Sequence, residues 1–390
     1  MSITKIKNFA MPIVLLACVL FSIIFGKYVA YDLKSFLYSI SLAIKEILIF
    51  FLPVVIFSLV FNSIRKLETD ALKFLAIIIP LICFSNFFNT ILSYITGLLF
   101  IWAGMINSVA NVSQESHSLV PMFSINIPKI ISNDLALILG CVSGIISGFL
   151  KYKIFQKVSN VFDFFQKCFF KILTPIMPLF IIGTTLKLQH DGMLSVIFKD
   201  YLPILLIFVI SAYGVVLIQF ILLASCNLKR IVLYIKNVLP AIITGFGSMS
   251  SAAALPLSIK AAENNSSNKE GAAIIIPATV NIHLVGDCFF IPMIALAVMI
   301  SFGMSVPDFS NYLIFAIYFV IAKFAVAAVP GGGILVMLPI LQNYLGFNPD
   351  MLGLITALYI LFDPIITACN VAGNGSMAIV FDRITRKAKK

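Results

Sequence analysis

Charge is what this chain has least of. Asp, Glu, Lys and Arg together make 11% of its 390 residues, against about a quarter in a soluble domain. Acid is scarcer than base, 16 residues against 27, and there are only three histidines and one tryptophan. Such a composition excludes a surface that water could solvate, and with it an ordinary soluble core. The few histidines and acids form no metal-ligand cluster and no Ser/His/Asp arrangement on one predicted helix face, so an enzyme is not the expected reading. Seven cysteines (Cys18, Cys83, Cys141, Cys168, Cys226, Cys288 and Cys369) show no paired spacing, so no disulfide framework is expected. No cleavable leader is evident, because the apolar run after Lys5 and Lys7 is closed by no small-residue cleavage site. That run reads as a first membrane span.

Apolar residue types make up 61% of the chain, and the mean hydropathy is +1.08. Apolar runs lie near 9–26, 43–63, 74–103, 134–150, 160–186 and 201–225, followed by spans near 270–303 and 350–381. The net charge of +11 is not a nucleic-acid footprint, because basic residues cluster in alternate loops. With the N-terminus in the cytoplasm, sixteen Lys and Arg fall inside and five fall outside (Lys27, Lys34, Lys129, Lys187 and Lys199). That asymmetry is the positive-inside bias. It predicts a multi-pass protein of the cytoplasmic membrane with both termini inside. The basic tail from Arg383 to Lys390 reads as an anchor with contact to anionic lipid. Residues 104–133 form a Ser- and Asn-rich outer loop without chemistry, and His117 and His190 read as solvated loop residues.

Two polar breaks interrupt the apolar C-terminal part. One is Ser248-Met249-Ser250-Ser251-Ala252-Ala253-Ala254-Leu255-Pro256, and the other is Val329-Pro330-Gly331-Gly332-Gly333. Each precedes a membrane-length segment carrying an Asn, Asn281 in one and Asn370 in the other, 89 residues apart. Non-helical backbone cannot face lipid, because its N–H and C=O groups would be unpaired. Breaks in corresponding positions point to the midplane site of a secondary transporter. The regions 233–262 and 312–345 are therefore predicted as re-entrant helical hairpins. Their arms are 232–244 with 255–262, and 313–328 with 334–344. Helix N-termini at such tips suit a carboxylate.

Taken in order, these motifs resemble the dicarboxylate/amino acid:cation symporters, the family of the glutamate and neutral amino acid transporters. Ser250-Ser251 with Leu255-Pro256 is similar to the family's first hairpin tip, and Thr279-Val280-Asn281-Ile282 to the start of its Asn-Met-Asp-Gly-Thr span. Val329-Pro330-Gly331-Gly332-Gly333 is similar to the second tip, and Asn370-Val371-Ala372-Gly373 to the core of the last span. The resemblance implies an all-α polytopic fold with inverted repeats: eight transmembrane helices plus two re-entrant hairpins. It also implies a homotrimer whose scaffold holds an elevator-like transport domain. On that pattern residues 1–73 are scaffold spans 1 and 2, 74–103 span 3 and a transport-domain arm, and 104–133 the outer loop. Residues 134–186 are scaffold spans 4 and 5, 187–230 span 6 and a second arm, and 231–390 the transport core.

Asp363 stands seven residues before Asn370, two helical turns and hence on one face. A carboxylate within a span is a functional hypothesis by default, and Asp363 matches the family aspartate that binds the substrate amino group. The resemblance then gives a substrate set of Ser250, Ser251, Gly331, Gly332, Asp363, Ile366, Thr367 and Asn370. Ile366 stands where acidic-substrate members have arginine, and a second buried carboxylate would lack a partner. A neutral amino acid is therefore favoured. The family's sodium aspartates fall on His283 and Asn374, so the coupling set is Thr279, Asn281, His283, Asp287 and Asn374. Loss of two carboxylates and gain of a titratable imidazole favour a proton over sodium as the coupling ion. No other cofactor is expected. Lys323, which the resemblance places beside a family sodium site, reads as a lysine that snorkels to the surface, with replacement of a sodium by its ammonium as the other reading, and Asp287 as a pore-edge charge. Two alternatives stay open: an acidic amino acid or dicarboxylate carrier with a relocated cationic group, and an uncoupled channel-like or structural relative.

Overall fold

The computed structural model describes residues 14, 17–18, 20–65, 71–104, 119–125, 127–128, 131, 133–150, 153–192, 201–269, 275–277, 279–326 and 332–388. Gly331, the loop residue His117, Lys199 and the basic start with Lys5 and Lys7 lie outside the described residues. The described residues form helices and no strand. Long Leu-, Ile- and Phe-rich runs give this result because a helix satisfies every backbone group within one segment, as a bilayer demands.

In chain order the helices are α1 (Tyr31–Arg65), α2 (Ala71–Trp102), α3 (Asn133–Leu150), α4 (Lys153–His190) and α5 (Leu202–Leu223). They continue as α6 (Leu228–Ser248), α7 (Ser251–Asn265), α8 (Val285–Ser301), α9 (Phe309–Ala322), α10 (Gly332–Leu345) and α11 (Pro349–Ala388). Among the described residues, Ile78–Trp102, Leu202–Leu223, Leu228–Ser248 and Pro349–Thr385 are long and apolar enough to cross a membrane. Prolines sit inside α1, α2, α4 and α11, as membrane helices tolerate when neighbours satisfy the freed carbonyls.

The helices pack in two sets. α1 lies against α3 and α4, and Gly183 of α4 lets the Leu37 carbonyl and the Ser41 hydroxyl come so near that a Cβ would collide with both. The second set surrounds α8 and α11, with α2, α5, α6, α7 and α10 against them and α9 packed on α2 and α10. α8 is buried along its whole length apart from Ile300.

α6 and α7 form the first hairpin. Met249 reverses the chain with φ +49°, and Ser250 caps α7 by accepting the Ala253 N–H at 3.3 Å. At the other end the Asn237 amide donates to Asn265 Oδ1 (2.7 Å), and the Asn265 amide donates to the Tyr234 carbonyl (3.1 Å). α9 and α10 form the second hairpin, closed by stacking of Tyr318 on Tyr344 at 4.4 Å between ring centroids. Asp308 caps α9 at the Asn311 N–H, and α9 ends in a 3-10 turn, Lys323–Ala325.

Several boundaries differ from the sequence expectation. The first arm of hairpin one begins at Leu228 and ends at Ser248 rather than spanning 232–244, because Asn227 caps it by accepting the Arg230 N–H. α1 begins at Tyr31, twelve residues before the apolar run, so Lys34 is a buried helical residue beside Gln189 (3.2 Å) and not a loop charge. Lys187 and His190 likewise belong to the last turn of α4. The His190 ring meets Tyr31 edge-on at 5.5 Å instead of standing free in a loop.

Candidate functional site

The span expected over 270–303 is broken, and that break builds the site. Residues 275–277 and Thr279 are helical, the chain turns at 280–282, and α8 starts only at Val285. Two backbone groups freed by the break meet Asn86 of α2. Its amide donates to the Ile282 carbonyl (2.7 Å), and its Oδ1 accepts the Leu284 N–H (3.3 Å). The first amides of α8, Gly286 and Asp287, donate to Asn370 Oδ1 at 2.8 and 3.3 Å. A side-chain oxygen from α11 thus caps α8 in place of an N-cap residue of its own.

Asn281 lies on the resulting cavity of about 330 Å³, with Met249, Ser250 and Ser251 from the first tip and Val326 and Gly333 from the second. Asp363, Thr367 and Asn370 line its α11 wall with Tyr359, and Asp287 and Leu284 its floor. The Thr367 hydroxyl donates to Asp363 Oδ1 at 2.8 Å, one helical turn apart. The first hairpin tip and, from the second hairpin, Val326 and Gly333 therefore face the same α11 residues.

Asp287 is the centre of a buried network that sequence reasoning missed. Its Oδ2 is 3.1 Å from the Lys323 ammonium, and the two side chains are 1% and 0% exposed. Its Oδ1 accepts from the Tyr359 hydroxyl (2.9 Å) and from the Asn370 amide (3.2 Å). Lys323 also lies 4.6 Å from the Phe319 ring centroid. The snorkelling expected of Lys323 is corrected: its 3-10 turn directs it inward to a carboxylate, so it has no route to a surface. Asp287 is correspondingly an internal ion-pair member that also lines the cavity. At Gly333 a Cβ would run into the Tyr359 hydroxyl and Asp287 Oδ2, so the second hairpin can approach this network only with glycine there.

The remaining expected residues divide. Ile366 is fully buried in the core and does not line the cavity, and its carbonyl lies against Gly286. Gly332 is buried beside the tip without lining the cavity. Thr279, His283 and Asn374 lie behind it, all buried. His283 Nε2 is 2.9 Å from Ser85 Oγ, and the Asn374 amide donates to the His283 carbonyl at 3.2 Å and the Asn370 carbonyl at 3.0 Å. His283 Nδ1 and Asn374 Oδ1 make no hydrogen bond of good geometry among the described residues.

Apolar helices, two helical hairpins and a small polar cavity at a broken helix are the features of a multi-pass membrane protein. The model of the sodium:dicarboxylate symporter family matches residues 11–384. The chain belongs to this family. Its similar curated relatives include the serine/threonine transporter SstT of three Streptococcus thermophilus strains, CNRZ 1066, ATCC BAA-250 / LMG 18311 and ATCC BAA-491 / LMD-9. Each is 24% identical over 195 residues, covering 46% of this chain and 48% of the relative. The match thus spans about half the length of these relatives.

Proposed function

We propose that this protein is a secondary symporter that imports a neutral amino acid, small and polar in the manner of serine or threonine, driven by protons rather than sodium. The observation that carries the reading is the cavity itself. It offers one carboxylate for an amino group, Asp363. Hydroxyls and amides from Ser250, Ser251 and Asn370 serve an α-carboxylate, and Thr367 serves a side-chain hydroxyl. Among the described residues none that lines it is basic, and Lys323, which lies behind Asp287, is held by that carboxylate. That pairing disfavours an acidic amino acid or dicarboxylate served by a relocated cation. The name of the S. thermophilus relatives points the same way.

The coupling assignment rests on His283, buried beside Ser85 and Asn374, which brings a titratable group where a sodium carboxylate is missing. Thr279 and Asn281 complete that set. The elevator motion belongs to the same proposal: the α1, α3 and α4 set is a scaffold held in a homotrimer, and the set around α8 and α11 is the moving core. The two hairpins are re-entrant, and both termini lie in the cytoplasm. Uptake of labelled serine, threonine, glutamate and succinate into proteoliposomes tests the reading, with pH and sodium gradients imposed separately. Serine or threonine uptake driven by an inward proton gradient is expected. Preference for glutamate or succinate, or strict sodium dependence at constant pH, overturns the corresponding part.

A further inference from the structure

We infer that Lys323 is a resident cation of the solute site, a covalently tethered ammonium that does for Asp287 what a dissolved cation would otherwise have to do. The inference rests on the proposed carrier function and adds to it that solute binding here requires no metal cation at this position.

Three observations converge. The first is burial: Lys323 and Asp287 are 0% and 1% exposed and 3.1 Å apart. A carboxylate so placed must be protonated or matched by a positive charge, and the chain supplies that charge itself. The second is position. Asp287 lines the cavity and its other oxygen binds Tyr359 and Asn370, two residues of the α11 wall. Charge at Asp287 is therefore felt where the solute sits and not at a remote packing contact. The third is connectivity. Lys323 belongs to the second hairpin, Asp287 to α8, and Gly333 brings α10 against the same Asp287 oxygen. An ammonium here fixes one hairpin against the cavity floor. It remains in place when solute leaves, as a diffusible ion would not.

The test compares purified full-length protein in choline, sodium and propylammonium chlorides, reading thermal unfolding and binding of labelled L-serine. Propylammonium has the atoms that Lys323→Ala removes. The wild type is expected to unfold at the same temperature and bind serine equally in all three salts. Lys323→Ala is expected to unfold several degrees lower in choline and to recover in propylammonium or sodium, with serine affinity about tenfold or more higher in the rescuing salt. The double variant Asp287→Asn/Lys323→Met removes both charges, and it is expected to be stable and indifferent to salt. A wild type that gains as much from sodium as Lys323→Ala does overturns the inference. So does a Lys323→Ala protein insensitive to every cation, or one too unstable to purify alongside a double variant that is equally unstable. A wild type that shows the expected unfolding pattern but binds no serine overturns the neutral amino acid reading instead, and leaves the tethered cation standing.

Discussion

Two residues at the cavity carry the sharpest consequences of single substitution. Asp363 is 3% exposed, accepts the Thr367 hydroxyl, and is the carboxylate proposed to meet the solute ammonium. Asp363→Asn keeps the shape and removes the charge. Losing one partner of a desolvated charge pair costs roughly 2–5 kcal/mol, so serine affinity should fall about 30-fold or more. Isothermal titration of the purified variant checks this, and unfolding temperature should move little beside it. Gly333 is constrained by space rather than charge. A Cβ would strike the Tyr359 hydroxyl and Asp287 Oδ2, and overpacking of this kind costs about 1–3 kcal/mol. Gly333→Ala should therefore weaken solute binding, and adding Tyr359→Phe should recover part of the loss by removing one of the atoms struck. A binding assay on the single and double variants decides it.

Among the elements, the broken segment before α8 depends most on a distant side chain. Asn86 satisfies the Ile282 carbonyl and the Leu284 N–H, both bonds spanning more than 190 residues of sequence. Asn86→Leu leaves the buried Leu284 N–H and the partly buried Ile282 carbonyl unpaired, at about 1–3 kcal/mol for the buried group and less for the other. The variant should unfold several degrees lower and transport poorly even though Asn86 does not line the cavity; a thermal unfolding curve without that shift would contradict it. The same segment marks where the sequence stops being legible. The hairpin tips could be read because Ser, Gly and Pro interrupt apolar runs. Asp363, Thr367 and Asn370 could be read because helical spacing puts them on one face. Residues 280–284, by contrast, are Val, Asn, Ile, His and Leu, with no Gly, Pro or Ser to mark a break, and side chains of other helices, Asn86 and Asn374, satisfy the freed backbone groups. Lys323 was ambiguous for a related reason. A lone lysine in an apolar run can reach for the surface or for a carboxylate, and the carboxylate stands 36 residues away on a different helix. Ile366 was placed in the cavity because the position matched, yet an isoleucine has no reason to stay there when a core is adjacent.

For the whole molecule, one part of the contact between the two helix sets is a weak electrostatic seam. Lys187 of α4 lies 3.4 Å from Asp350 at the start of α11, and the Tyr38 hydroxyl of α1 is also 3.4 Å from it. Asp350 is 42% exposed, so each contact contributes at most about 1 kcal/mol and fades with salt. Under an elevator motion this seam must part in every cycle. Asp350→Asn should then change the uptake rate by no more than about fivefold at low ionic strength, and molar salt should erase the difference; a variant that is inactive at every salt concentration would show the seam to be structural. The Asn370 cap on α8 has a different consequence, one of timing. The amide of Gly286 waits for an acceptor made 84 residues later in the chain. At roughly 5–20 residues per second, the ribosome delivers that acceptor several seconds after α8 has left the exit tunnel. The nascent chain thus holds an uncapped helix in or beside the bilayer while α9, α10 and half of α11 are being made, and an unmatched Asp287 until Lys323 follows at the end of α9. Maturation of this protein is therefore gated by the arrival of its last helix, and chains stalled before Asn370 should be preferred prey for membrane quality-control proteases.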